Sequence, residues 1–523
     1  MSQSTSRKAR PFRTALIGVG VLAIAAQATA QVTSVQGPIP ATADNPIYGP
    51  ADVKGANLGF NLASYGYVEE EYFLHGTAAA YEHTANGPKA RTGKLPYTTR
   101  IVIRRPADPA RFSGVVHFEP IHPTHGWDGH WEVLGSYLMP RGDIYVFAGV
   151  GDASKGWSGS PTFPEPAGPT GQNRILKWFN PERYAAISWP EEEGIRFELM
   201  GDIGKKLRSN DRDNPLRGLT VKAMLVGGWS YTGSIQRTYI NEGFHEMIRL
   251  PDGRPVFDGY LVGVSSAHND PGYLPLYNDE PFVPLDDPRR VLRKTDAKVI
   301  EFLTESEVEL GNALIAPNVP DSDERIGAHR VYELAGVIHT DNLVDPTLRF
   351  QELPFSVQLA DKGYQFSSVS TVSVSDCDLP PSDIPQAAFV RAAVDNLRHW
   401  VLDGAAPPRG APLQRTAEGL VRDEVGNAVG GIRAAEYEVP LARYGRYQGD
   451  DKPGCKADNL YPSVFLVRDM LPPDELAHRY GTPAQYVALY EAEIDRLTAR
   501  HWLLPEDGLR LKAKNRERLL NGF

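Results

Sequence analysis

The sequence predicts an α/β protein built on a mostly parallel central sheet. Two observations carry that expectation. Short runs rich in β-branched and aromatic residues, bounded by Gly, Pro, Ser or Asp, alternate with stretches of helical periodicity. One run, "LTVKAMLVGG" (219–228), is apolar almost throughout, as suits a central strand covered on both faces.

Taken in order, "TRIVIRR" (99–105), "GVVHFEP" (114–120) and "DIYVFAGV" (143–150) read as strands. In "EEEGIRFELMGDIGKKLRS" (191–209), Ile195, Leu199, Ile203 and Leu207 recur at helical spacing. The strand at 219–228 follows. "RPVFDGYLVGVSSA" (254–267), "AKVIEFLTES" (297–306) and "HRVYELAGVIH" (329–339) continue the alternation. Between two of these late strands lies an insertion, "HNDPGYLPLYNDEPFVPLDDPRR", dense in Pro, Asp and aromatics. It reads as a lid or a surface loop.

Beyond residue 350 the rhythm changes. "QAAFVRAAVDNLRHWVLDG" and "PPDELAHRYGTPAQYVALYEAEIDRLTARHWL" are helical, the second broken at Gly481-Thr482-Pro483. "GGIRAAEYEVPLARYG" is a strand or an extended arm. The expected organisation is a leader (1–30), an α/β core (31–350) and a mixed C-terminal extension packed on the core (351–523).

The leader has a positive stretch "SRKARPFR", an apolar "TALIGVGVLAIAA", and small residues ending in Ala28-Thr29-Ala30. This is the layout of a secretory signal peptide cleaved after Ala30, giving a periplasmic or extracellular protein with no membrane anchor once cleaved. An uncleaved anchor is the alternative, although the apolar run is short for a span. In an oxidising compartment the chain's two cysteines, Cys377 and Cys455, most simply form one disulfide, with two buried thiols as the alternative.

The 523 residues carry a formal net charge of -10, which argues against a nucleic-acid partner. No cofactor and no metal is expected. Three histidines, His122, His125 and His130, stand near Asp128 after an early strand, but their spacing is not a recognisable ligand set.

The chemistry concentrates in "MLVGGWSYTGSIQRTYI" (224–240). An apolar strand ends in Gly228-Trp229-Ser230, and a helix follows. Gly-x-Ser at a strand-to-helix corner is the start of a nucleophile elbow, although Thr232 stands where a second Gly is usual and Gly233 comes one residue late. An ordinary turn is the competing interpretation. A serine hydroxyl needs a base, and the base an acid. On the alpha/beta-hydrolase fold these follow in the order Ser, acid, His, each after a strand. "TESEVE" supplies Glu305 and Glu307, and "VIHTDN" supplies His339. If extended, "TESEVE" would aim its two glutamates at opposite sides, so one of them faces the histidine. His268 is a rival base in the wrong chain order, since it comes before the acidic strand end, and Asp270 beside it is a rival acid by position. An oxyanion hole would draw one backbone N–H from Tyr231 and another from the loop after an early strand, at Ile121.

Several segments resemble the secreted bacterial proteins called alpha/beta hydrolase domain-containing proteins. They are the elbow with its "TYIN" helix, "VEEEYFLHGTAAAY" (68–81), "GVVHFEPIHP", "FLTESEVE", "YELAGVIHTDN" and "DEVGNAVGGIRAAEYEVPLARYG". The resemblance spans nearly the whole chain after the leader. It implies Ser230 as nucleophile, Glu307 rather than Glu305 as acid, and His339 as base. Tyr231 stands where the family usually has Gln, which would alter the substrate pocket.

The expected activity is a secreted serine hydrolase that cleaves a carboxylic ester, small or polymeric, through an acyl-enzyme. The alternatives are an amidase or peptidase with the same residues, or a non-catalytic binding protein on a hydrolase scaffold. Trp229, Tyr273 and Phe282 are the expected pocket residues, the last two from the insertion acting as a lid over Ser230. A surface loop pinned by those same side chains is the competing interpretation.

Overall fold

A computed structural model describes residues 1, 31–52, 60–123, 126, 129–152, 171–265, 272–310, 319–339, 354–363, 379–380, 382–417, 419–446 and 466–519. Residues 2–30 of the expected leader, and Cys377 and Cys455 of the expected disulfide, lie outside the described residues. Among the described residues no helix is long and apolar enough to cross a membrane.

Among the described residues, nine strands form one sheet. They are β1 (Gln31–Gln36), β2 (Tyr67–Ala78), β3 (Leu95–Pro106), β4 (Val115–Pro120), β5 (Ile144–Ala148), β6 (Ala223–Trp229), β7 (Gly259–Gly263), β8 (Lys298–Thr304) and β9 (His329–Leu334). Their order is β1-β2-β3-β5-β4-β6-β7-β8-β9. From β5 to β9 every neighbouring pair is parallel, and β1, β2 and β3 join antiparallel at one side. The seven expected strands are all present: the one expected at 99–105 is longer, Leu95–Pro106, while those expected at 219–228, 254–267 and 329–339 are shorter, Ala223–Trp229, Gly259–Gly263 and His329–Leu334.

Alternation along the central strands builds two apolar layers. Val116, Met224, Val226, Tyr260 and Val262 meet helix α2 (Arg196–Leu207) and helix α3 (Tyr231–Asn241). Val115, Leu225, Leu261 and Ile300 face helix α1 (Gly129–Arg141) and the C-terminal part of the chain. Ile195, Leu199, Ile203 and Leu207 are all buried, as their spacing requires.

The C-terminal part is continuous with the core. Helix α5 (Gln386–Asp403) places Val394, Leu397 and Trp400 in the same apolar layer as Leu261. Arg391 on α5 donates to both Asp507 oxygens, at 3.0 and 2.6 Å, tying in the last helix, Pro505–Arg518. Ile432 lies alongside the edge strand β9: its N–H donates to Glu333 O at 2.7 Å, and Ala335 N–H donates to Ile432 O at 3.0 Å. The backbone groups an edge strand would expose are thus partly taken up by the chain's own C-terminal segment.

One buried acid on α2 gives a stability test. Asp202 is 5% exposed, and its Oδ2 has no hydrogen-bond partner. Burial, then the charge of Glu198 one turn earlier, push its carboxyl up to about 8. Well below pH 4, folded and unfolded chains both hold this proton. As pH rises toward 8 the unfolded chain releases it and the folded one does not, so stability falls across that window. Asp202→Asn is expected to raise Tm at pH 8 more than at pH 5, measured by thermal denaturation. An equal shift at both pH values would mean Asp202 is not the group responsible.

Candidate active site

The parallel strands deliver their carboxyl ends to one edge, where reactive groups gather in such sheets. At the end of β6, Ser230 has φ 56 and ψ -117. A non-glycine residue at positive φ is strained and persists only where the surroundings hold it. Three contacts do so. Ser230 N–H donates to Gly263 O at 3.0 Å, and Ser234 N–H donates to Ser230 O at 2.9 Å. The Thr232 hydroxyl accepts Trp229 N–H at 2.7 Å and lies 3.0 Å from Trp229 O. The departure from Gly at 232 is therefore a brace across the corner. Gly233 supplies the close approach instead, since a Cβ there would lie 2.4 Å from Gly263 O.

Helix α3 begins at Tyr231, which puts that residue's backbone N–H at a helix N-terminus, where the dipole favours negative charge. The Tyr231 side chain is buried, its ring 5.7 Å from that of His122, and its hydroxyl accepts from Arg196 Nη1. Arg196 is fixed in turn by Glu193 at 2.9 Å. Burial raises the Tyr231 phenol. The tyrosine is thus docked on α2.

After β8, Thr304 accepts Glu307 N–H at 3.3 Å, a side-chain bond that opens the short helix α4 (Glu305–Leu310). The segment is helical, not extended, so the two glutamates do not alternate. Both are buried, and their partners differ. Glu307 Oε1 is hydrogen-bonded to His339 Nδ1. Glu305 accepts from Gly336 N–H at 2.7 Å, Arg422 Nη1 at 2.6 Å and Tyr437 OH at 2.8 Å. The structure thereby brings Glu307 and His339 together. It also joins His339 to the elbow, because the Trp229 indole N–H donates to His339 O at 2.5 Å.

Four expectations are corrected. Ile121 N–H is spent on Ala148 O at 2.8 Å, since the ladder beside β5 continues one residue past β4, so it is not an oxyanion donor. Trp229 is 3% exposed and packs on His130 and Phe302, so it is a support beneath the site and not a pocket wall. Tyr273 is buried, with its hydroxyl donating to Glu242 at 2.8 Å, while Leu274 N–H donates to Thr238 Oγ1 at 2.9 Å. Glu242 follows Ser230 by twelve residues along α3, roughly 18 Å at the helical rise. Tyr273 and Leu274 therefore strap the insertion to the far end of α3, while Asn278 takes Glu193 N–H at 3.0 Å ahead of α2; the part at 266–271, with the rivals His268 and Asp270, lies outside the described residues. Phe282 is 58% exposed and covered on one face by Arg290, so it is a surface residue.

Of the histidines in the early loop, His125 lies outside the described residues, as does Asp128. His130 is buried on α1, where burial pushes its imidazole down to about 3 and keeps it neutral. Among the described residues no group of His, Cys, Asp and Glu is arranged to hold a metal ion.

No curated protein matches the sequence. A fungal esterase from Rhizomucor miehei is similar at 12% identity and a TM-score of 0.33, covering 65% of this chain and 85% of that chain. A bacterial heroin esterase is similar at 11% identity and a TM-score of 0.29, covering 58% of this chain and 84% of that chain. An esterase of Pyrobaculum calidifontis is similar at 14% identity and a TM-score of 0.26, covering 56% and 84%. The family model described as "Alpha/beta hydrolase domain" matches residues 35–513, and the chain belongs to that family.

Proposed function

We propose that the protein is a serine hydrolase that cleaves a carboxylic ester, with Ser230 as nucleophile, His339 as base and Glu307 as the acid that orients it. The observation that carries this is the serine at a strained strand-to-helix corner, bonded through its neighbour Trp229 to the residue whose imidazole meets Glu307.

In this proposal His339 takes the Ser230 proton as the oxygen attacks the ester carbonyl carbon. Glu307 holds the imidazole through Nδ1, which leaves Nε2 for the serine, and balances the imidazolium charge. Tyr231 N–H stabilises the developing oxyanion, with a second donor drawn from the loop beyond Ile121. Collapse of the tetrahedral intermediate breaks the ester C–O bond. His339 returns the proton to the departing alcohol, and an acyl-serine remains. Water, deprotonated by His339, attacks that ester and releases the carboxylic acid and free Ser230.

A fluorophosphonate probe tests the proposal: wild-type protein labels and Ser230→Ala does not. Equal labelling of both would remove Ser230 from the mechanism. A panel of matched esters and amides then separates esterase from amidase chemistry, which differ in the leaving group that His339 must protonate.

Export belongs to the same proposal. The leader "SRKARPFRTALIGVGVLAIAAQATA" motivates a mature chain beginning at Gln31, read by N-terminal sequencing of the exported protein. A Cys377–Cys455 bridge would leave no free thiol in unfolded, unreduced protein.

A further inference from the structure

We propose that the C-terminal part of the chain belongs to the catalytic apparatus: Arg422 and Tyr437 are positioning residues that act through Glu305 on the loop carrying His339. This rests on the Ser230–Glu307–His339 proposal above.

The loop leaving β9 runs from Ala335 to His339, and it is held on several sides. Gly336 N–H donates to Glu305 Oε2 at 2.7 Å, and Ser382 Oγ donates to Gly336 O at 2.5 Å. Ser306 N–H donates to Val337 O at 3.4 Å. Gly336 has φ +75 and packs under the Tyr437 ring, where a Cβ would lie 2.4 Å from Cε2. The ring and the carboxylate of Glu305 therefore grip the same residue, three positions before the imidazole.

Glu305 is completely buried. An ionised carboxylate there requires partners, and besides Gly336 N–H the C-terminal segment supplies Arg422 and Tyr437. The Tyr437 hydroxyl is itself oriented, since it accepts Ala428 N–H at 3.0 Å while donating to Glu305. Glu305 and Glu307 share the short helix α4. Loss of the cation or the phenol leaves a buried charge underpaired. Glu305 then moves toward water, and α4 and the loop move with it. Both partners of the Glu307–His339 bond are displaced together relative to Ser230. A displacement of about 1 Å in a reacting group is enough to cost on the order of 100-fold in rate.

Arg422→Gln, Arg422→Lys and Tyr437→Phe, compared with wild type on an ester the purified protein turns over, test this. Arg422 is partly exposed, so its variants should fold even if Tyr437→Phe does not. Arg422→Gln and Tyr437→Phe are expected to lower kcat and the fluorophosphonate labelling rate by about 10- to 100-fold, with KM within about twofold. Arg422→Lys should recover most of that loss. Hydrogen exchange in the peptide spanning 330–339 should quicken in the two damaging variants. Faster exchange with kcat unchanged would make the contact structural only and overturn the proposal, as would a kcat loss that follows the unfolded fraction. Ser230→Ala is the separate control. Turnover surviving in Ser230→Ala sinks the hydrolase reading, whereas Ser230-dependent turnover indifferent to Arg422 and Tyr437 sinks the clamp alone.

Discussion

Ser230→Ala is expected to abolish ester turnover while the protein stays folded. The serine is half-buried, and the backbone bonds that hold the corner, to Gly263 O and from Ser234 N–H, do not involve its hydroxyl as donor or acceptor. Alanine keeps those bonds and the strained φ. Removing the nucleophile of such a constellation typically costs on the order of 10⁴–10⁶ in kcat, the remainder coming from binding and oxyanion stabilisation. The measurement is kcat on the best ester of a panel, beside a thermal melt. A variant retaining more than about a tenth of wild-type kcat would be incompatible with losses of that size.

His339→Ala is expected to be as damaging, and Glu307→Gln less so. In the proposed mechanism the imidazole moves the proton in both half-reactions, whereas the carboxylate orients it and balances its charge. Glu305→Gln should behave differently from Glu307→Gln. Its carboxylate accepts Gly336 N–H, Arg422 and Tyr437 in a fully buried setting, so its neutralisation should appear in Tm as well as in kcat. Should Glu305→Gln leave Tm unmoved and reduce kcat more than Glu307→Gln, the assignment of the two glutamates would have to be exchanged.

Much of this architecture was readable in the residues. The apolar run of β6, the helical spacing of α2 and the Ser, acid, His order along the chain are local patterns, and local patterns survive without tertiary context. Helix α1 left no such signal. Most of "GHWEVLGSYLMPR" is buried, so no polar face marks a period, and it carries Gly and Pro. Strand β1 is short and mostly exposed, with little apolar content to announce it.

The site divides along the same line. That an acid follows β8 and a histidine follows β9 is written in the sequence. Which glutamate serves the histidine is not derivable from residue chemistry, because two identical carboxylates two positions apart differ only in what packs around them. The family resemblance favoured Glu307, and the fold puts that carboxylate on His339 Nδ1 while surrounding Glu305 with Gly336, Arg422 and Tyr437. The aromatics follow the same rule. Trp229, Tyr273 and Phe282 are equally apolar on paper, yet one supports the histidine loop, one anchors a strap roughly 18 Å along α3, and one lies on the surface. Sequence periodicity sets which segments bury a face; which partners meet there depends on residues more than a hundred positions apart, as Glu305 and Tyr437 are, and only the folded chain brings those together.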